Sequence, residues 1–303
     1  MRTSGTLLCL GSGAAFGAMA IFGKLAYGQG TTVGTLLSVR FLMGAALFWI
    51  LVLAYGDLRH LRELGRRDIA LALGLGAFGY ALQAGCYFVA LERIDAGLLS
   101  LLLYTFPAMV AAMAVVLGRE RLTRRRLTAL GLALGGLVLV VAGAGTGALN
   151  GLGVALGLGA AVVYTTYILV SQGVAGRVPA RLLSALVCTG AAASLTLSTA
   201  LIGQFRPGAV TIGGWGWLAC IAAVSTVGAI GLFFAGLRRA GPTTASILAT
   251  VEPLVTVLLA FLVFSERLGV VQLIGGAFVL SAVIVLNLRV RRAPVPAVAS
   301  APA

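Results

Sequence analysis

Apolar residues in this chain do not alternate with polar ones as in a half-buried strand, nor do they recur as a narrow helical stripe. They run on in blocks of about twenty. Ten such blocks occur, at about 5–26, 33–55, 69–91, 96–117, 127–143, 151–171, 182–203, 214–237, 243–264 and 269–288. A helix rises about 1.5 Å per residue, so a block of this length crosses roughly 30 Å of hydrocarbon. The pattern predicts an all-α integral membrane protein with ten transmembrane helices.

The blocks also repeat. Sliding the chain by 146 positions without a gap sets Ser100 on Ser246, Pro107 on Pro253, Glu120 on Glu266, Arg121 on Arg267 and Leu122 on Leu268, so that 101–122 is echoed by 247–268. The expected organisation is a first five-helix repeat over 1–145, a second over 146–290, and a disordered cytoplasmic tail over 291–303 that is rich in Pro and Ala. Five is odd, so the second copy enters the membrane from the other side and the two repeats are inverted. The basic run Arg124, Arg125 and Arg126 has Val270, Val271 and Gln272 as its counterparts, which frees the second loop to lie on the opposite face. Inverted repeats are the architecture of secondary transporters, which bind substrate near the midplane between the halves.

Composition supports the membrane assignment: 60% of residues are hydrophobic, 10% are charged, and the mean hydropathy is +1.07. A formal charge of +14 would suggest nucleic acid in a soluble protein, but here the position of the cations matters more. Of 22 basic residues, 17 fall at the termini or in alternate loops: Arg2; Arg59, Arg62, Arg66 and Arg67; Arg119, Arg121 and Arg124 to Arg126; Arg177 and Arg181; Arg238 and Arg239; Arg289, Arg291 and Arg292. The positive-inside rule then places both termini in the cytoplasm, and no nucleic-acid partner is expected.

Other features carry less. Cys9, Cys86, Cys188 and Cys220 lie within apolar runs without metal-site spacing and are read as small core residues; His60 sits among loop arginines. No metal or cofactor is expected, and no clustered nucleophile and base suggests an enzyme. The first block lacks a convincing cleavage site and matches 151–171, with Ala14-Ala15 on Ala160-Ala161, so it is expected to stay in the protein. Small-residue pairs such as Gly13/Gly17, Gly131/Gly135 and Gly153/Gly157 suit close helix packing. Trp215 and Trp217, near a span start, suit an interface belt.

The polar residues inside the spans are the candidates for chemistry. Glu252 is the only acidic residue at mid-span, a costly position unless it is protonated, paired or wet. It has two readings: a site for a substrate amine or a proton, or a helix-to-helix hydrogen bond beside the Ala249 carbonyl, which Pro253 leaves without its helical donor. Arg40 is the other interior charge, either an ion-pair or coupling partner for Glu252 or a side chain that snorkels outward alone. Pro107 and Pro253 fall at matching depths and are candidate hinges or fixed kinks. Tyr80, Gln83 and Tyr87 share one helical face, Tyr104 lies mid-way along the next span, and Tyr164 and Tyr167 form a similar pair in the sixth. Their rings suit either the wall of a cavity for an amphipathic molecule or helix packing.

Ten spans, two five-span halves, the Pro107 to Glu120-Arg121-Leu122 and Glu252-Pro253 to Glu266-Arg267-Leu268 blocks, and Arg40 in the second span together resemble the drug/metabolite transporter superfamily. Within it the chain is similar to the EamA-type exporters, and among these to the YddG-like group of aromatic amino-acid exporters. The resemblance covers roughly 5–290 and implies export of small metabolites across a bacterial inner membrane. A polyanionic substrate would need a cluster of cations, whereas Arg40 and Lys24 are the only basic residues near the interior, which favours zwitterions or neutral amphiphiles. The expected activity is alternating-access export of aromatic or other neutral amino acids and related metabolites by a monomer in the lipid bilayer. Exporters of amphipathic drugs or other metabolites, or a channel, are the alternatives.

Overall fold

The computed structural model describes residues 2–118, 123–143, 150–175, 177–240, 245 and 248–287. All regular structure among them is helical. Eight helices are long and apolar enough to span a membrane: α1 (Arg2–Gly28), α2 (Val33–Ala54), α3 (Arg66–Leu91), α4 (Ala96–Val116), α5 (Arg124–Ala142), α6 (Gly151–Ala175), α7 (Ala180–Leu201) and α8 (Ile212–Leu237). Two shorter apolar helices, α9 (Val251–Phe264) and α10 (Val270–Asn287), complete the ten-helix membrane fold. Large apolar side chains such as Leu7, Leu134, Leu197 and Leu262 are more than 60% exposed, as the lipid-facing surface of a membrane protein requires. The Glu120-Arg121-Leu122 triplet, Arg119, Ser246, Arg289 and the 291–303 tail lie outside the described residues.

Local sequence explains where the helices begin and end. Thr32, Thr211 and Asn150 each accept the N–H of the residue three positions on, at 3.2, 3.1 and 3.0 Å, and so start α2, α8 and α6. Gly56 and Gly203 follow α2 and α7 in the left-handed region, φ 71° and 68°, where a Cβ would be strained.

The duplication is visible in the irregularities of the helices. α3 widens to a π-helix over Leu75–Tyr80, and α8 does the same over Ile221–Gly228, so the two segments begin 146 residues apart. α4 is broken into Ala96–Leu103 and Phe106–Val116 by a turn at Tyr104 and Thr105. α9 begins after a turn at Ala249 and Thr250, one residue earlier than the same shift would place it. Both breaks sit just ahead of Pro107 and Pro253, whose missing N–H and ring disfavour a continuous helix.

Packing follows the small residues. α2 lies along α7, α5 along α10, and α1 against α8 and α9. Gly76 and Gly190 form a close crossing between α3 and α7: an added Cβ would stand 1.9 Å from the Val187 carbonyl oxygen at the first and 2.1 Å from that of Leu73 at the second. Gly17 meets the backbone of Glu252, and Gly157 packs on Leu99 and Leu102. The pair Gly131/Gly135 does not face another helix, since a Cβ added at either would meet nothing within 4 Å. Gly136, rotated about 100° from Gly135 on the helix, is the residue that meets Gly275 of α10. Side-chain hydrogen bonds add to these contacts: Ser38 and Thr199 join α2 to α7 at 2.8 Å, and Thr256 donates to the Gly17 carbonyl at 3.0 Å. Trp217 stacks on Phe22 of α1, with centroids 5.9 Å apart, so only the 38%-exposed Trp215 keeps the character expected of an interface belt.

Candidate functional site

Arg40 does not snorkel. Its side chain is buried, at 2% exposure, among the rings of Phe41, Phe88 and Tyr80, whose centroids lie 4.9, 5.4 and 5.9 Å from the guanidinium carbon. Its Nε donates to Thr226 Oγ1 at 3.2 Å and its Nη2 to Tyr80 Oη at 3.3 Å. An arginine deep in a span costs about 3 kcal/mol on insertion scales, and each desolvated ring face returns about 1–2 kcal/mol. Three faces and two hydroxyls are therefore enough to hold the charge without a protein carboxylate. The expected ion pair with Glu252 is not formed: Arg40 bonds to neutral hydroxyls, and Glu252 bonds elsewhere.

From Arg40 a chain of aromatic rings leads across the molecule. Tyr80 of α3 meets Tyr167 of α6 with centroids at 5.8 Å, Tyr167 stacks on Tyr164 at 6.1 Å, Tyr164 meets Phe106 edge-on at 4.6 Å, and Phe106 meets Tyr104 at 5.8 Å. The spacings are those of favourable offset and edge-to-face pairs. The last ring reaches Glu252, with Tyr104 Oη 3.0 Å from Glu252 Oε2. Gln83 and Tyr87 are buried on α3, and the Tyr87 ring meets that of Phe88 with centroids 5.3 Å apart.

Glu252 enters the site because α9 starts anew there, placing the carboxylate in the first turn of a helix, the favourable end of the macrodipole. Tyr104 also donates to the carbonyl of Ala249, the group that Pro253 deprives of a helical N–H, and Glu252's own N–H bonds to the same oxygen at 3.0 Å. Carboxylate, proline and tyrosine thus form one junction between the broken helices of the two halves.

Ion pairs lie at both ends of the molecule. At one, Lys24 of α1 pairs with Glu266, whose other oxygen accepts the N–H of Ala96 at 2.8 Å and caps α4. Ser265, at φ 57°, turns the chain out of α9 and presents that glutamate. A pocket of about 660 Å³ opens there, lined by Lys24, Tyr27, Leu91, Glu92, Arg93 and Phe264. At the arginine-rich end, Asp57 accepts from Arg181 at 2.6 Å and Asp68 from Arg177 at 2.7 Å, both joining one half to the other. The Arg181 hydrogen bond holds the Asp57 carboxyl below its ordinary range.

The EamA-like transporter family model matches this chain twice, over residues 3–142 and 151–288. The chain belongs to the EamA-like transporter family. It is therefore a multi-pass membrane transporter and not an enzyme. It is 28% identical over 280 residues to the uncharacterized transporter YcbK of Bacillus subtilis (strain 168), covering 90% of this chain and 89% of that one. An uncharacterized transporter of Archaeoglobus fulgidus is 31% identical over 226 residues, covering 74% and 78%. A solved crystal structure matches with a TM-score of 0.65 over 94% of this chain and 97% of its own at 19% identity, a likeness of fold alone.

Within this EamA-like fold, Tyr80, Tyr104, Tyr164, Tyr167, Arg40 and Glu252 come together along one wall, while Pro107 and Pro253 stand behind the helix breaks. Sequence reasoning missed Thr226, Phe41, Phe88 and Phe106 as parts of the site. Thr226 had a signal: it is the residue 146 positions after Tyr80, and the two bond to the same guanidinium. Glu266 and Lys24 also went unpaired, because nothing in a linear pattern links a span-end glutamate to a lysine 242 residues away.

Proposed function

We propose that this transporter exports neutral amino acids, aromatic ones foremost, and related small metabolites by alternating access across the bacterial inner membrane. Its two repeats would be inverted and rock about a central substrate cavity, with both termini in the cytoplasm. The observation that carries this reading is the wall of rings from Tyr80 through Tyr167, Tyr164 and Phe106 to Tyr104, with a buried cation at one end and a carboxylate at the other. A wall of this kind offers ring faces to an apolar side chain and opposite charges to a zwitterion, whereas a polyanion would meet a single guanidinium. Breaks in α4 and α9 at equivalent places support the mechanism, since discontinuous helices at mid-depth line transporter sites. Glu252 is the proton or substrate-amine group in this scheme, and Pro107 and Pro253 are the hinges.

Uptake of labelled L-phenylalanine and other neutral amino acids into vesicles containing the purified protein tests it, with and without a pH gradient. Saturable flux with counterflow is the expected result. Absence of saturable flux for every neutral amino acid would overturn the substrate class, and flux without saturation or counterflow would point to a channel.

A further inference from the structure

We propose that Arg40 is the anchor for the substrate's carboxylate, presented by a two-part clamp of Tyr80 and Thr226 to which each repeat contributes one residue. The inference deepens the amino-acid reading and rests on it only for the rest of the substrate, not for the carboxylate.

A guanidinium has five N–H donors in a rigid fork. The bonds to Thr226 and Tyr80 use two of Arg40's, and both acceptors are neutral hydroxyls. Among the described residues no carboxylate is placed to complete the set. Of the eight acidic residues in the chain, Asp57, Asp68, Glu92 and Glu266 are paired with other cations, Glu252 is bonded to Tyr104, and Glu63 and Asp95 are exposed at helix ends. The eighth, Glu120, lies outside the described residues. An arginine fork has donors beyond Nε and Nη2, and a carboxylate matches it by taking two parallel bonds. A single guanidinium among rings and hydroxyls neutralises a monoanion and not a phosphate dianion. Ser225, next to Thr226, is fully buried with no partner for its hydroxyl, and so leaves a second donor in the same segment.

The clamp has a symmetry that a structural arginine does not need. Tyr80 and Thr226 are 146 positions apart, and each lies in the π-helical stretch of its own repeat, a feature often found at functional sites. Any movement of one repeat against the other changes the distance between these two hydroxyls. Arg40 is then held by both in one arrangement and by one in another, and the donor released is available to the substrate. Carboxylate binding is thereby tied to the relative position of the repeats.

The test uses the full-length protein in two formats: exchange of labelled L-phenylalanine in vesicles, and thermal stabilisation of the detergent-purified protein. The probes are L-phenylalanine, L-phenylalaninamide, 3-phenylpropionate and phenethylamine. In the wild type, the two carboxylates compete and stabilise, while the amide and the amine are at least about tenfold weaker. Arg40→Lys raises KM for phenylalanine by about tenfold or more, because an ammonium lacks the fork, and leaves the weak response to the amide unchanged. The wild-type comparison needs no variant, so a poorly folded Arg40→Lys protein does not weaken the test. If the amide competes as well as phenylalanine, or Arg40→Lys leaves KM unchanged, the anchor is wrong while the amino-acid reading stands. If no amino acid exchanges but 3-phenylpropionate stabilises the protein through Arg40, the amino-acid reading is wrong and the anchor stands. If neither carboxylate acts in either format, both are wrong.

Discussion

The hydroxyl of Tyr104 lies 3.0 Å from the Glu252 carboxylate and at the same time against the backbone carbonyl of Ala249. It has one proton for two acceptors. A carbonyl only accepts, so when the tyrosine proton serves Ala249, Glu252 must be the donor in the other bond and therefore neutral. When Glu252 is ionised it takes the tyrosine proton, and the carbonyl keeps only the N–H of Glu252 itself. The charge on Glu252 is thus linked to how the start of α9 is held.

That link gives the first prediction. Glu252→Gln keeps a permanent donor facing Tyr104 and cannot release a proton. If Glu252 is the proton site, counterflow of substrate should persist within a few-fold of wild type while acceleration by a pH gradient vanishes; if it holds the substrate amine, counterflow should fall as well. Tyr104→Phe removes a hydrogen bond to an ionisable group, worth about 1.5–3 kcal/mol, and should lower flux by about tenfold or more. Vesicle flux at several pH values reads both, and a Glu252→Gln protein that still responds to the gradient would rule Glu252 out as the coupling site.

The crossing of α3 and α7 yields a stability prediction. Gly76→Ala puts a methyl group 1.9 Å from a backbone oxygen that cannot swing aside, so one helix must shift, at a cost of about 2 kcal/mol or more. Gly131→Ala projects into open space and should be neutral or slightly stabilising, because alanine is the better helix former by about 1 kcal/mol. Melting of the two variants in detergent should separate them clearly, with Gly76→Ala the lower.

At the Lys24 end, Glu266 does two jobs, pairing with the lysine and capping Ala96. Glu266→Ala, which loses the cap as well as the ion pair, should therefore destabilise this end more than Lys24→Met does, although each removes the same ion pair. A Lys24→Cys/Glu266→Cys protein that is cross-linked should lose transport and regain it on reduction. Unimpaired flux in the cross-linked protein would mean that this end does not open during the cycle.

At the opposite end, pH acts through Asp57. Arg181 lowers its carboxyl below the ordinary value of 3.8, so the stabilisation it provides is fully present above that value and is lost as pH falls through the lowered one. A scan of melting temperature from pH 6 down to about pH 3 should show a drop in the wild type that is smaller in Asp57→Asn. Identical slopes in the two proteins would assign the acid sensitivity to other groups.

Much of the fold was legible because the membrane imposes it. A span must be long, apolar and internally hydrogen-bonded, so ten blocks in the sequence become ten helices with little room for error. The carbonyl left by Pro253 was likewise predictable from proline chemistry, though its acceptor role for Tyr104 was not. The site was legible only as a set of residues. Arg40 and Glu252 stood out as the interior charges, and the natural inference was that they pair. The structure gives each a different partner, because three ring faces and two hydroxyls offset the cost of a buried arginine and a tyrosine completes the glutamate.

The sequence by itself determined the number of spans, the 146-residue duplication and the proline-marked breaks, since these follow from segment length, covalent identity and a missing N–H. Only the tertiary structure decided which side chains meet. In lipid no hydrophobic force sets the rotation of one apolar helix against another, so contacts depend on details such as Gly136 rather than Gly135 facing Gly275. The same packing brings Tyr80 and Thr226, residues of separate repeats, onto one guanidinium.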